Sequence, residues 1–93
     1  GQTEIAARLD LHGLTQTEAH RALNAFVAGQ QAAGRRCLLI ITGKGERGAG
    51  ILRQALPRWL AEAPNAGRIL AIEQAQARHG GDGAFYVLLR KGR

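Results

Sequence analysis

The hydrophobic positions of the chain follow two periods that predict the order strand, helix, strand, helix, strand, strand. The segments with a strand pattern are residues 5–12, 37–42, 69–72 and 84–90. In the first of them Leu9 and Leu11 point to one face and Asp10 and His12 to the other, because successive side chains of a strand alternate. The second is continuously apolar up to Thr42, which predicts a strand buried on both faces.

Apolar residues at helical spacing separate these strands. Thr15 with Glu18 three residues later is a capping-box pattern that predicts a helix start, and Gly34 is typical of the residue just after a helix end. His20 lies off the apolar stripe of this helix and is expected at the surface. The stripe of the second helix is Leu52, Ala55, Leu56, Trp59, Leu60 and Ala63. Pro57 lies inside it and should kink or restart it, because proline lacks a backbone donor.

This order predicts the α/β class: a two-layer sandwich with a four-stranded mixed sheet and both helices on one face. Crossovers between parallel strands are right-handed, which places the two helices together. The loop at 74–83 is too short for a crossover helix, so the last strand should run antiparallel to the third. The 93 residues fit one domain at 9–91. Residues 1–8 are then a lead-in with the start of the first strand, and 92–93 a basic tail.

The net charge of the chain indicates a class of binding partner. Lys and Arg total 13 against 7 acidic residues, which gives a net charge of +6 and a pI near 11.1. Such an excess favours a polyanion, nucleic acid before an anionic membrane surface, with a mere solubility surplus as the alternative. Eleven of the cations are Arg, whose planar guanidinium binds phosphate in a bidentate way.

The cysteine content and the hydropathy of the chain indicate its cellular compartment. Cys37 is the single cysteine, so no disulfide can form within the chain, which fits a reducing compartment. No stretch reaches the roughly 18–20 apolar residues of a membrane span, so a cytoplasmic protein with no membrane partner is expected. The chain starts at Gly1 and contains no Met, so it is expected to be part of a longer protein with a further domain.

Polar residues gather where the predicted parallel strands end, and ligands of α/β sheets bind at such carboxyl ends. The first strand delivers Asp10 and His12, the second delivers Thr42 and the loop 43–50, and the third leads to the loop that holds His79. Further cations expected near this edge are Arg35, Arg36 and Arg90. This convergence predicts the functional site.

The chemistry of these residues has two interpretations. His12 can act as general base or acid near neutral pH with Asp10 orienting it, or the pair can simply cap and fill a turn. His79 is likewise either functional or structural. Lys44 and Arg47, between glycines that open a helix, are suited to seat a phosphate. The spacing Gly43-x-Gly45-x-x-Gly48 also matches a dinucleotide fingerprint, but it sits on the second turn of a small domain, so a nucleotide binder is the weaker hypothesis.

The carboxylates Asp10, Glu46, Glu73 and Asp82 are scattered, and no His or Cys cluster has zinc spacing. The sequence therefore predicts no metal site and no required cofactor, while leaving room for a divalent ion.

Three segments together resemble the Smr (small MutS-related) domain family over about Leu9–Lys91. They are Leu9-Asp10-Leu11-His12-Gly13, then Ile41-Thr42-Gly43-Lys44-Gly45, and His79-Gly80-Gly81-Asp82-Gly83 with the strand through Arg90. The resemblance implies a fold similar to the C-terminal domain of bacterial translation initiation factor three. It also implies an endonuclease acting on RNA or on branched or nicked DNA.

The resemblance and the basic residues described above together give two sets of site residues. The catalytic set is Asp10, His12 and Lys44. The nucleic-acid-binding set is Thr42, Gly43, Gly45, Arg47, His79, Gly80, Gly81, Gly83 and Arg90. Some Smr domains bind without measurable cleavage, so the alternative to an endonuclease is a non-catalytic nucleic-acid-binding module of a larger protein.

Overall fold

The computed structural model describes residues 4–45 and 48–92. Its strands and helices are β1 (Ala7–Asp10), α1 (Gln16–Ala32), β2 (Cys37–Ile41), α2 (Ala49–Ala61), β3 (Ile69–Gln74) and β4 (Ala84–Leu89). Short 3₁₀ turns lie at Ala66–Arg68, Ala77–His79 and Gly81–Gly83. The predicted α/β order is confirmed. Within the described ranges no helix is long and apolar enough to cross a membrane.

The four strands form one sheet in the order β1-β2-β4-β3. β1 runs parallel to β2, and β4 runs antiparallel to both β2 and β3, so β1, β2 and β3 share one direction. Their carboxyl ends therefore lie at one edge of the sheet, as predicted. β4 begins at that edge, where Ala84 pairs with Ile41, and ends at the opposite edge, where Leu88 pairs with Cys37.

β1 is shorter than predicted because it lies at the rim of the sheet and pairs with β2 alone. Backbone hydrogen bonds from Ala6 N–H to Cys37 O (2.8 Å) and from Leu11 N–H to Ile41 O (2.7 Å) extend this pairing at both ends. The alternation of Leu9 and Asp10 holds, since Leu9 packs against the core and Asp10 is exposed.

Both helices begin close to where the sequence predicts. Thr15 caps α1 in a complete capping box, with its Oγ1 accepting from Glu18 N–H (3.1 Å) and its N–H donating to Glu18 Oε1 (3.0 Å). α2 runs as one helix through Pro57, so the predicted restart does not occur. The proline ring lies on the exposed side, while Leu56 and Leu60 are buried and hold this part of the helix against the sheet.

The main core lies between the sheet and the two helices, which cover the same face. Trp59 is 5% exposed and belongs to this core, as its position in the α2 stripe predicts. The imidazole of His20 stacks on the Trp59 ring at 4.5 Å with an interplanar angle of 7°. The expectation that His20 is simply a surface residue is therefore wrong, because α1 passes directly beside Trp59.

The other face of the sheet, called here the open face, is not covered by a helix. A smaller cluster of Leu39, Ala75 and Ala84 is buried there, with Ile41 and Tyr86 packed against it. Ala75 N–H donates to Ala84 O (3.0 Å), which keeps the segment after β3 at the start of β4. Asp10 lies on this open face by strand alternation.

Candidate active site

Asp10 and His12 form a hydrogen-bonded pair at the carboxyl end of β1. The Asp10 Oδ1 atom accepts from His12 N–H (3.0 Å) and lies 2.7 Å from His12 Nδ1. The chain turns away at Gly13, whose φ of +81° is the left-handed conformation that glycine adopts without strain. The His12 side chain is 70% exposed and that of Asp10 49%, so the pair faces solvent while being ordered by its own bonds.

The Asp10 carboxyl stays ionised at ordinary pH. Partial burial alone would raise its pKa, but the His12 backbone hydrogen bond, the His12 ring hydrogen bond and the His12 charge together hold the pKa below 3.8. A carboxylate can only accept hydrogen bonds, so Nδ1 of His12 carries the proton between them. In neutral His12 the lone pair is then on Nε2, the atom pointing away from Asp10, which is the arrangement of a general base.

Thr42 and Gly43 continue β2 into the loop and bind to the segment before β4. The carbonyl oxygen of Gly83 accepts from Thr42 N–H (2.7 Å) and Gly43 N–H (3.1 Å). The Thr42 hydroxyl, which is fully buried, donates to the carbonyls of Gly43 (3.1 Å) and Gly83 (3.3 Å). The structure therefore gives Thr42 and the Gly43 amide an internal role, joining the second and third motifs, rather than the direct nucleic-acid contact that the sequence predicts.

Gly83 is required for this close approach. A Cβ placed on Gly83 would lie 2.8 Å from the Gly43 carbonyl carbon and 2.9 Å from Lys44 Cγ. No real Cβ tolerates such distances to backbone, so any larger residue would push the two loops apart. The second and third motifs are thus in direct contact, which confirms that the loops meet at one edge.

Lys44 and Gly45 are exposed on this loop, directly before the segment that leads into α2. The Arg53 guanidinium of α2 donates to Lys44 O (3.3 Å) and keeps the loop against the helix. Gly48, at the N-cap of α2, has no side chain to cap the first amides, and such amides favour anions. The predicted phosphate seat at Lys44 has the expected helix beneath it, while Arg47 lies outside the described residues.

His79 lies over the open face and not in the helix layer. Its Nδ1 shares a hydrogen bond with the Tyr86 hydroxyl, and the two rings meet edge to face at 5.5 Å. Desolvation, followed by the charges of Arg78 and Arg8, lowers the pKa of His79 below 6.5. The ring is therefore neutral at physiological pH.

The glycines beside His79 allow the loop to turn twice within a few residues. Gly80 has φ of +118° and Gly81 φ of +52°, and a Cβ on Gly80 would lie 2.9 Å from the Cβ of Ala84. These positions shape the loop; they do not present side chains to a ligand.

Two residues next to the predicted set were not singled out from sequence. Arg8 is exposed, lies two residues before Asp10 on the same strand face, and is close enough to His79 to influence its charge. Tyr86 anchors His79 and also accepts from Gln76 N–H (3.1 Å). The period-two alternation that marks Asp10 and His12 also marks Arg8, so a pattern for it was present.

Arg90 lies away from this site, so its predicted placement is wrong. β4 starts at the carboxyl-end edge and runs antiparallel, so Arg90, one residue beyond its end, lies at the opposite edge. Arg90 N–H donates to Arg68 O (2.8 Å) there. Arg35 and Arg36 precede β2 and lie at that same opposite edge, against expectation. In the described parts of the chain, no three His, Cys, Asp or Glu side chains gather in a way that could hold a metal ion.

The comparison with protein families decides the family. The family model of the Smr domain matches residues 9–90. The chain belongs to the Smr domain family. Ribosome rescue factor SmrB of Vibrio vulnificus is 44% identical over 81 residues, which cover 87% of this chain and 43% of that protein. SmrB of Klebsiella pneumoniae is 41% identical over the same share of this chain and covers 41% of its own length. The chain thus spans less than half the length of these curated relatives.

Solved Smr structures confirm the fold. YdaL, a stand-alone small MutS-related protein from Escherichia coli, superposes with a TM-score of 0.85 at 36% identity, over 98% of this chain and 70% of that chain. The Smr domain of Thermus thermophilus MutS2 superposes with a TM-score of 0.79 at 32% identity, over 91% of this chain and 99% of that domain. The expected mixed four-stranded sheet with two helices is therefore the Smr domain fold.

Proposed function

We propose that this Smr domain is an endonuclease that cleaves RNA through the Asp10–His12 pair. The observation that carries the proposal is the 2.7 Å contact between Asp10 Oδ1 and His12 Nδ1 at an exposed strand end. It leaves Nε2 of His12 directed away from its partner as the proton acceptor. The side chains of His12 and Asp10 are 70% and 49% exposed, so a substrate can reach the pair from solvent.

The reaction that suits this pair uses the ribose of the substrate. Nε2 of neutral His12 takes the proton of a 2′-hydroxyl, and the 2′-oxygen attacks the adjacent phosphorus. The bond from phosphorus to the 5′-oxygen breaks, and that oxygen takes up a proton from solvent. The products are a 2′,3′-cyclic phosphate and a 5′-hydroxyl.

The remaining residues support this chemistry electrostatically. Asp10 fixes the imidazole tautomer and stabilises the imidazolium that forms, as a carboxylate does for histidine in hydrolytic triads. Lys44 and the first amides of α2 stabilise the charge that builds on the phosphate oxygens. Arg47 is a further candidate for that role. The pathway requires no cofactor, and a divalent ion bound to the phosphate would only add to the stabilisation.

The names of the relatives favour RNA over DNA as the substrate. SmrB is a ribosome rescue factor, and ribosomes carry RNA. The same names favour the cytoplasm as the place of action and a nucleic acid as the partner. A longer parent protein, of which this domain is one part, agrees with the length of those relatives.

The test compares a defined RNA with the same oligonucleotide carrying a 2′-deoxy sugar at the scissile nucleotide. The RNA should be cut and the deoxy version left intact, while both bind with nearly equal affinity. His12→Ala should abolish the cut and keep most of the binding. Cleavage of the deoxy substrate to a 5′-phosphate, stopped by EDTA, would replace this mechanism with hydrolysis by a metal ion at Asp10.

The second candidate function is binding without cleavage. It is favoured by the internal use of Thr42 and of the Gly43 amide, which removes two of the predicted contacts from the phosphate seat. If the wild-type domain binds RNA and leaves it intact under every condition that supports other Smr nucleases, this candidate is the function.

A further inference from the structure

Half of the excess positive charge of the chain lies at the edge of the sheet opposite the Asp10–His12 pair. We call this set the distal basic cluster: Arg35, Arg36, Arg68, Arg90 and Lys91. Its backbone is tied together by bonds from Leu89 N–H to Arg36 O (2.7 Å) and from Arg90 N–H to Arg68 O (2.8 Å). These bonds set the cations beside the ends of three adjacent strands, β2, β4 and β3, which lie about 4.8 Å apart.

The cluster is not neutralised by its surroundings. Arg35, Arg36, Arg90 and Lys91 are exposed, and Arg68 is half-buried. Glu4 and Glu62 are the acidic residues nearest this edge by sequence, which leaves an excess of three charges out of the net +6. The salt bridge found among residues 4–45 and 48–92 is that of Asp10 with His12, so none of these cations is held in one.

Several contacts fix the cluster without using its charge. The Arg36 Nε donates to Leu89 O (2.9 Å), and Arg68 Nη1 donates to Pro64 O (3.3 Å). Gln31 Nε2 donates to Arg90 O (3.1 Å), so α1 holds the chain just after β4. Carbonyl partners orient a guanidinium but leave its net charge intact, so the cluster is an ordered positive surface.

A groove of about 210 Å³ lies on the open face between the two edges. His79 and Tyr86 line it on the side of the Asp10–His12 pair, and Cys37 and Leu88 line it on the side of the cluster. Glu73 also lines it. The six residues of β4 span the distance between the edges, about 20 Å at ~3.3 Å per residue. A stacked nucleic-acid strand advances ~3.4 Å per nucleotide, so this span corresponds to about six nucleotides.

We propose that the distal basic cluster is a second phosphate-binding surface, which holds RNA about six nucleotides away from the cleaved bond, along the open face. Four of its five cations are Arg, whose planar guanidinium binds phosphate in a bidentate way. An RNA strand held at the Asp10–His12 pair presents consecutive phosphates to these cations along the open face. The inference rests on the proposed function for its choice of RNA. Beyond that function, the inference predicts that affinity depends on the length of the RNA on one side of the scissile phosphate.

The experiment measures affinity for RNAs that carry the 2′-deoxy sugar at the scissile nucleotide, with three or ten nucleotides on one side or the other. The wild-type domain should bind the longer RNA more tightly when the extension is on one particular side. The double variant Arg35→Gln/Lys91→Gln should lose this gain and lower the slope of log affinity against log salt by about 1.4 for the long RNA alone. The matched control Arg21→Gln/Arg58→Gln removes two exposed cations from the helices and should keep the gain.

Either of two results would overturn the proposal: no gain with length on either side, or an equal loss in the two double variants. Tight binding of the cluster to vesicles of anionic lipid, with no length dependence for RNA, would assign the surface to a membrane instead. Cleavage of the short, all-ribose RNA reports on the proposed function separately. If the domain cleaves no RNA but still binds the longer RNA more tightly, this inference stands and the proposed nuclease activity does not.

Discussion

The two edges of the sheet carry different kinds of polar residue, held in different ways. At the carboxyl-end edge Asp10 and His12 bond to each other, and the loops of Thr42 and Gly83 lock together through backbone groups. At the opposite edge cations such as Arg36 extend from a hydrogen-bonded backbone without carboxylate partners. The first edge has the fixed geometry that proton transfer requires, and the second has mainly charge, which attracts a polyanion without orienting a reaction. In the function proposed above, the cations of the opposite edge therefore serve binding and not the chemical step.

The largest expected effect is on the cleavage rate, which distinguishes the carboxyl-end edge from the opposite edge. Asp10→Asn should lower the cleavage rate by roughly 10³–10⁴-fold, because an amide can donate to Nδ1 and so favour the wrong imidazole tautomer. RNA affinity should stay nearly constant. The measurement is single-turnover cleavage at saturating protein. Asp82→Asn is the control, since Asp82 accepts from Gln74 Nε2 (3.1 Å) and stands outside the proposed catalytic set, and this variant should cleave at the wild-type rate.

A second test perturbs the packing of the loops at the carboxyl-end edge and leaves the charge of both edges unchanged. Gly83→Ala should lower the free energy of unfolding by about 1–3 kcal/mol, because its methyl group meets the Gly43 backbone at 2.8 Å. Urea denaturation measures the loss. Gly29→Ala, in α1 with open space around it, should be neutral or stabilise by up to ~1 kcal/mol. Equal stability of the Gly83 variant and wild type would mean that the two loops separate at little cost.

Salt dependence compares the edges directly. Lys44→Ala should lower the slope of log affinity against log salt by about 0.7, one contact with a single strand, for short and long RNA alike. Lys91→Ala should lower it by a similar amount for long RNA only. An unchanged slope with Lys44→Ala would remove Lys44 from the phosphate seat, and an effect of Lys91→Ala on short RNA would bring the two edges into one surface.

The smallest effect concerns the titration of His79. Since its pKa is lowered in the folded state, the unfolded chain binds this proton at higher pH. The resulting stability is present above pH 6.5 and is lost as the pH falls through the folded pKa. Arg8→Gln removes one of the neighbouring cations and should move the pKa of His79 upward in an NMR titration of its ring protons. Arg90→Gln, at the other edge, should leave that pKa in place.

Sequence periodicity was sufficient for the elements and for the edge at which the motifs meet. It predicted the capping box of Thr15, the buried β2 and the antiparallel direction of β4. That direction already implied that Arg90 leaves the site, since an antiparallel strand that begins at one edge must end at the other. The positive charge of Arg90 suggests a phosphate ligand, but charge carries no information about the edge at which a residue lies.

Other features had no local pattern to reveal them. The position of β4 between β2 and β3 depends on pairings far apart in the chain, and alternation along one strand does not encode its neighbours. Thr42 looks like a ligand-binding hydroxyl next to a glycine loop, but its burial depends on the Gly83 carbonyl, 41 residues away. The stacking of His20 on Trp59 likewise needs the relative placement of two helices.

β4 is the last strand in the chain, yet it lies inside the sheet, between β2 and β3. During synthesis the β1–β2 pair can form early, but β3 has no neighbour until residues 84–89 have been made. The Gly83 carbonyl that closes the loop of the second motif arrives equally late. Folding of the domain is therefore governed by contacts distant in sequence, which are slow to form. A nascent chain that ends before β4 lacks both the finished sheet and the completed site, so the activity proposed here requires β4 to have emerged from the ribosome.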